Sequence, residues 1–99
     1  MLNIITIENK GEVTLALEGR LDSVSAPELE NKIKEITPHI TDLIFDLEKL
    51  DYISSAGLRI LLSAQKAMNE RGGMKVRNVD PTVMEVFEIT GFAEILTIE

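Results

Sequence analysis

A chain of 99 residues, 44% hydrophobic and 27% charged, has the makeup of one folded domain, residues 1–99, and excludes a second core or a disordered tail. The absence of cysteine excludes a disulfide scaffold, a thiolate zinc site and a cysteine nucleophile together. Ten Lys and Arg against 17 Asp and Glu leave a net charge of −7 with no basic run, which argues against a nucleic-acid partner.

The opening residues Met1 to Asn9 alternate Ile5 and Ile7 against Thr6 and Glu8. Residues 12–18 alternate Val13, Leu15 and Leu17 against Thr14 and Ala16. Both read as half-buried strands, joined at Asn9-Lys10-Gly11 in a hairpin. A loop, Gly19 to Val24, then leads to Ser25-Ala26-Pro27-Glu28, which has the form of a capping box with Ser25 as N-cap. The helix predicted from there repeats Ala26, Leu29, Ile33 and Ile36 at helical spacing and stops at Pro38.

Residues 42–47 form a nearly continuous apolar run, as expected of a strand covered on both faces. A second helix begins at Ser54 or Ser55 and runs to Arg71, burying Leu58, Leu61, Leu62, Gln65 and Met68. Gly72-Gly73 should end it, since glycine tolerates the left-handed conformation that follows many helices. Residues 74–79 read as a strand, and Asp80-Pro81 opens a third helix with Val83, Val86 and Phe87 inward and Thr90-Gly91 at its close. Ile95, Leu96 and Ile98 are expected in a last short strand. The order β-β-α-β-α-β-α-β predicts an α/β fold: a mostly parallel sheet, an antiparallel hairpin at its start, and helices packed on it.

In such a sheet the loops that follow strands gather at one end. Asp22, Ser23, Ser54, Ser55, Asn78 and Asp80 should meet there, with His39 about 20 Å away at the other. That separation removes the one histidine from any Ser-His-Asp arrangement. No GxxxxGK[ST] or GxGxxG loop is present, and with one histidine and no cysteine a transition metal finds few ligands. No enzyme, cofactor or metal site is therefore expected. No apolar run reaches the roughly 20 residues of a membrane span, and Met1-Leu2-Asn3 lacks the charged start of a signal peptide, so a cytoplasmic location is expected.

What remains is the pair of hydroxyls at the start of the second helix. A serine there either caps unpaired backbone N–H groups or offers its hydroxyl to a phosphate. The segment Leu50-Asp51-Tyr52-Ile53-Ser54-Ser55-Ala56-Gly57-Leu58 resembles the signature of the STAS domain, and in particular the bacterial anti-sigma-factor antagonists. Gly19-Arg20-Leu21-Asp22, Ser25-Ala26-Pro27-Glu28-Leu29, Gly72-Gly73 and the stretch from Phe87 to Phe92 are similar to further landmarks of that family. The resemblance implies that Ser55 is the phosphoacceptor, with Ser54 as a rival. It departs from the family at Ser54, where many members have Asp, at Ala56, where they have Ser or Thr, and at Arg59, where they have Gly.

It further implies a partner-switching cycle. The unphosphorylated chain would bind an anti-sigma factor that is also a serine kinase and so release the sigma factor. Phosphorylation on Ser55 would end that binding, and a serine phosphatase would reset the cycle. Asp22, Ser23, Ser54, Ser55, Ala56, Gly57 and Arg59 are the expected partner-binding residues; Ala56 and Gly57 either admit the partner's backbone or pack the helix on the sheet. The competing expectation is a STAS accessory subunit of a lipid-export or stress-signalling complex, acting as a constitutive binding module.

Overall fold

The computed structural model describes residues 2–99, so Met1, expected in the first strand, lies outside the described residues. Strands β1 (Leu2–Asn9) and β2 (Glu12–Leu21) form the hairpin, closed by Lys10 and Gly11 with φ of 51° and 87°. Positive φ at both central residues is what a tight turn between right-twisted strands requires. Helix α1 (Ala26–Ile36) and a short 3-10 turn, Thr37–His39, carry the chain over to β3 (Asp42–Ile53). Helix α2 (Ser55–Asn69) crosses to β4 (Gly73–Arg77), followed by α3 (Pro81–Thr90) and a one-turn α4 (Phe92–Ile95).

The four strands lie in the order β1-β2-β3-β4, with the first pair antiparallel and the other two parallel. The expected mixed sheet is thus present. The last strand is not: Ile98 makes one parallel bridge to Val76, and Ile95 belongs to α4. Backbone hydrogen bonds from Val76 N–H to Thr97 and from Glu99 N–H to Val76 still cover the β4 edge.

The core faces one side of the sheet. Val13, Leu15, Leu17, Leu43, Phe45, Met74 and Val76 join Leu29, Leu58, Leu61, Met68, Val83 and Phe87 of the helices in one buried cluster. On β1 the inward residues are Leu2 and Ile4, whereas Ile5 and Ile7 are 40% and 58% exposed. The alternation on that strand holds with the opposite parity to the expected one. Because Ile4 pairs with Leu17 and Thr6 with Leu15, the hairpin register turns the even-numbered residues to the core.

Strand β3 is twice the expected length and its inward residues change spacing. Leu43, Phe45 and Leu47 are two apart, then Leu50 and Ile53 are three apart, and all are buried. The register against β2 slips by one residue between Ala16 and Glu18, and again between Gly19 and Arg20. Each slip places one extra residue on β3, a bulge that keeps the next apolar side chain pointing at the helices. The expected loop Gly19-Arg20-Leu21 is therefore strand, paired with Leu50-Asp51-Tyr52-Ile53.

Gly72 and Gly73 serve a purpose other than the expected one, since neither has positive φ. A Cβ on Gly72 would sit 1.9 Å from the Thr41 carbonyl oxygen, whereas the nearest atom to one on Gly73 would be Asp42 Oδ1 at 4.0 Å. Gly72 is there so that the end of α2 can pass against the start of β3. Gly72→Ala is expected to lower the melting temperature by about 8–15 °C, corresponding to about 2 kcal/mol of forced backbone displacement. Gly73→Ala should stay within about 0.5 kcal/mol; thermal unfolding of the two variants side by side checks the contrast.

Candidate functional site

The two hydroxyls at the start of α2 have different surroundings. Ser54 has extended backbone (φ −98°, ψ 175°), and its Oγ accepts a hydrogen bond from Gly57 N–H at 3.4 Å while its carbonyl accepts from Leu58 N–H. It is the N-cap. Ser55 is the first helical residue, is exposed, and its hydroxyl enters no hydrogen bond among the described residues. One serine caps the helix, and the hydroxyl of the other is exposed and unpaired among the described residues.

The pair is fixed in place by the strand ends. Ser54 N–H donates to the Leu21 carbonyl at 2.9 Å, so the end of β2 anchors the residue before the helix. Gly57 is buried, and a Cβ there would lie 2.7 Å from Leu21 Cγ and 2.9 Å from Ile53 Cγ1. Its small size is used inside the molecule, to bring α2 onto β2 and β3. Ala56 is partly buried against the same core, while Arg59 lies exposed one helical turn past Ser55.

Asp22 and Ser25 form a compact knot between β2 and α1. Asp22 Oδ1 accepts from Val24 N–H and Ser25 N–H at 3.0 and 3.1 Å, and Ser25 Oγ donates to the Arg20 carbonyl and accepts from Asp22 N–H, both at 2.9 Å. The expected capping box is absent: Ser25 has helical backbone and no capping bond from its side chain. The Asp22 carbonyl receives Ala26 N–H instead, and the Asp22 side chain organises the turn. The Ser25 backbone N–H, aided by the Ser25 hydroxyl, Val24 N–H and the Arg20 charge, holds the Asp22 carboxyl below its ordinary value against the opposing cost of desolvation.

Three features of this end escaped the sequence. Arg20 stacks on the Tyr52 ring at 4.1 Å and its Nε lies 3.8 Å from Asp22 Oδ2. The Arg20–Tyr52 pair follows from a register that the bulges create, and no local pattern announces it. Val24, beside Ser23 at the tip of the loop, is 87% exposed, although a valine in a sequence reads as core.

Asn78 and Asp80 do not join the group. Strand β4 ends opposite Asp46, and Asn78 Nδ2 donates to Asp46 Oδ1 at 3.3 Å. From Asp46, β3 continues to Ile53, roughly 20 Å farther along the strand. Asp80 caps α3 by accepting from Thr82 N–H. His39 is exposed in the turn before β3, with the length of that strand between it and Ser55. Among the described residues no group of acidic or imidazole side chains is arranged to hold a metal ion.

Two measurements follow from this geometry. Ser54→Ala should cost about 1 kcal/mol of stability through loss of the cap, whereas Ser55→Ala should be neutral within about 0.5 kcal/mol in denaturant titration. The depressed Asp22 carboxyl stabilises the fold fully above its unfolded pKa, near pH 4, and loses that contribution as pH falls through the folded value. The stability gap between the parent chain and Asp22→Asn should accordingly narrow below about pH 4; a gap unchanged down to about pH 2.5 would contradict the assignment.

The sequence matches the STAS domain family over residues 3–99. It is 28% identical over 98 residues to the anti-sigma-B factor antagonist of Bacillus subtilis, covering 98% of this chain and 90% of that protein. It is 36% identical over 90 residues to BtrV of Bordetella bronchiseptica, a candidate anti-sigma factor antagonist, covering 89% of this chain and 78% of that one. The fold superposes on an anti-sigma factor antagonist from Mycobacterium paratuberculosis with a TM-score of 0.90 at 22% identity, covering 99% and 85% of the two chains. It also matches the antagonist SpoIIAA, a Bacillus cell fate determinant, in unphosphorylated and phosphorylated forms, with TM-scores of 0.77 and 0.76 at 20% identity; this chain is covered fully and those by 87% and 91%. With the helix-start serines, the strand order and the length of the match in agreement, the chain belongs to the STAS domain family, among the anti-sigma factor antagonists.

Proposed function

We propose that this chain is the phosphorylation-controlled member of a partner-switching pair in the cytoplasm. Unmodified, it binds an anti-sigma factor that carries serine kinase activity and so frees the sigma factor. The kinase transfers phosphate to the Ser55 hydroxyl, binding is lost, and a serine phosphatase restores the hydroxyl. The chain does no chemistry of its own beyond offering Ser55.

The observation that carries the reading is the division of labour between the serines. Ser54 is committed to Gly57 N–H, while Ser55 stands exposed with its hydroxyl free. A phosphate on the first residue of a helix meets unpaired N–H groups and the favourable end of the dipole, so it leaves the helix intact. It adds about −1.5 to −2 charges to a surface that must fit a partner closely. Near-equal superposition on both forms of SpoIIAA agrees with a phosphate that changes the surface and not the fold.

The docking surface in this reading joins Ser23, Asp22 and the exposed Val24 on the loop to Ser55, Ala56 and Arg59 on α2. Val24 is its apolar anchor, since a β-branched side chain 87% exposed on a fixed loop loses little entropy on burial. Among the described residues no helix is long and apolar enough to cross a membrane.

Incubation with ATP and the cognate kinase, followed by mass spectrometry of the parent chain and Ser55→Ala, tests the proposal. Phosphate on Ser55, absent in the variant and accompanied by dissociation, is the expected result. Phosphate on Ser54 would keep the function and move the site. With no phosphate from any candidate kinase, the chain would instead be a constitutive binding module, such as an accessory subunit of a lipid-export or stress-signalling complex. Val24→Asp should weaken the complex about tenfold or more while leaving the melting temperature unchanged; calorimetric titration of the partner reads the first and thermal unfolding the second.

A further inference from the structure

Helix α2 presents Ser55 and Arg59 on one solvent-facing side. Leu58, Leu61, Gln65 and Met68 are its buried stripe, and Ser55, Arg59, Ser63 and Lys66 are exposed opposite. Residues four apart on a helix stand about 5–6 Å apart at Cβ, and an anion placed N-terminal to a cation at that spacing is the favourable order. The first turn of α2 contains no acidic residue. Arg20, Lys49 and Lys75 each lie beside a carboxylate, whereas Arg59 has none within ion-pair distance among the described residues. In the unmodified protein, then, this guanidinium is open to whatever approaches the start of α2.

We propose that phosphorylation of Ser55 captures Arg59 within the same chain. The guanidinium folds back over one helical turn onto the phosphate, forming a charge-assisted and geometrically matched pair. The modification then has two effects on the docking surface: it adds negative charge at Ser55 and withdraws the positive charge that the unmodified surface presents at Arg59. A partner whose contact with α2 is acidic meets repulsion where it had attraction, which a phosphate without this arginine would achieve only in part. The pairing depends on the side-chain spacing and not on the helix end, because Arg59 acts equally on any phosphate held at the first helical residue. This inference rests on the reading that Ser55 is the acceptor, and its test separates the two.

Phosphoserine is encoded directly at position 55 of the full chain, so that no kinase is needed, in the parent sequence and in Arg59→Gln and Arg59→Lys. Glutamine and lysine keep good helix propensity, so folding is retained. The phosphorus NMR signal is titrated between about pH 4 and pH 8, across the second ionisation of a phosphoserine. The expected result is a midpoint about 0.3 pH unit higher in Arg59→Gln than in the parent, with Arg59→Lys between them and the difference shrinking in high salt. In the parent alone, the Arg59 side-chain Nε–H signal should shift on phosphorylation. Identical midpoints in the parent and Arg59→Gln, or an unshifted Arg59 signal, would overturn the capture. Failure of the kinase to modify Ser55 would overturn the functional reading and leave the capture measured.

Discussion

The contact on which the rest depends is that of Gly57 with Leu21 and Ile53. The start of α2 is fixed by the last inward residues of two neighbouring strands. Leu21 and Ile53 are a paired position in the sheet, and the helix start rests on both. A side chain at Gly57 would collide with those of Leu21 and Ile53, so the junction would have to shift to admit it. The Ser54 N–H bond to the Leu21 carbonyl reinforces the same junction from the backbone. Ser55 is exposed next to Ser54, whose N–H, carbonyl and hydroxyl are all engaged.

That junction lies where it does because β3 outruns β4. Two bulges let the strand add residues while still turning Leu50 and Ile53 to the core, and β2 follows it as far as Leu21. The extension carries the start of α2 past the ends of the other crossovers, so the loop at Asp22 to Val24 becomes its near neighbour and the loop at Asn78 does not. The Asp22–Ser25 knot stiffens that loop with five side-chain hydrogen bonds between Arg20 and Ser25. Val24 is thereby displayed and not collapsed. A preorganised loop beside a preorganised helix start loses little freedom on any binding event.

Much of the candidate site was legible before the structure because its signals are local. Two serines after an apolar strand and before a helical stripe announce a helix start from three residues of context, and Asp80-Pro81 does the same for α3. The features that were hidden depend on register. Arg20 finds Tyr52 only because an extra residue sits on β3; Ser25 stands at the expected N-cap, but its hydroxyl serves Arg20 and Asp22 and not the helix; Ile5 and Ile7 look like the buried face until the hairpin pairs Ile4 with Leu17. Gly72 reads as a helix terminator, yet its missing side chain answers to a carbonyl thirty-one residues earlier, that of Thr41.

The sequence by itself determined the single α/β domain, the hairpin, the crossover helices and the pair of candidate hydroxyls, because periodicity, capping residues and turn residues act over a few positions. Tertiary structure alone decided which serine is the cap and which is free, since that depends on where Leu21 and Ile53 hold the helix. It also decided which loops share the site, since that depends on how far each strand runs against its neighbour. The exposure of Val24 and the open position of Arg59 belong to the same class. Burial and ion pairing are relations between distant residues, and only the packed chain defines them.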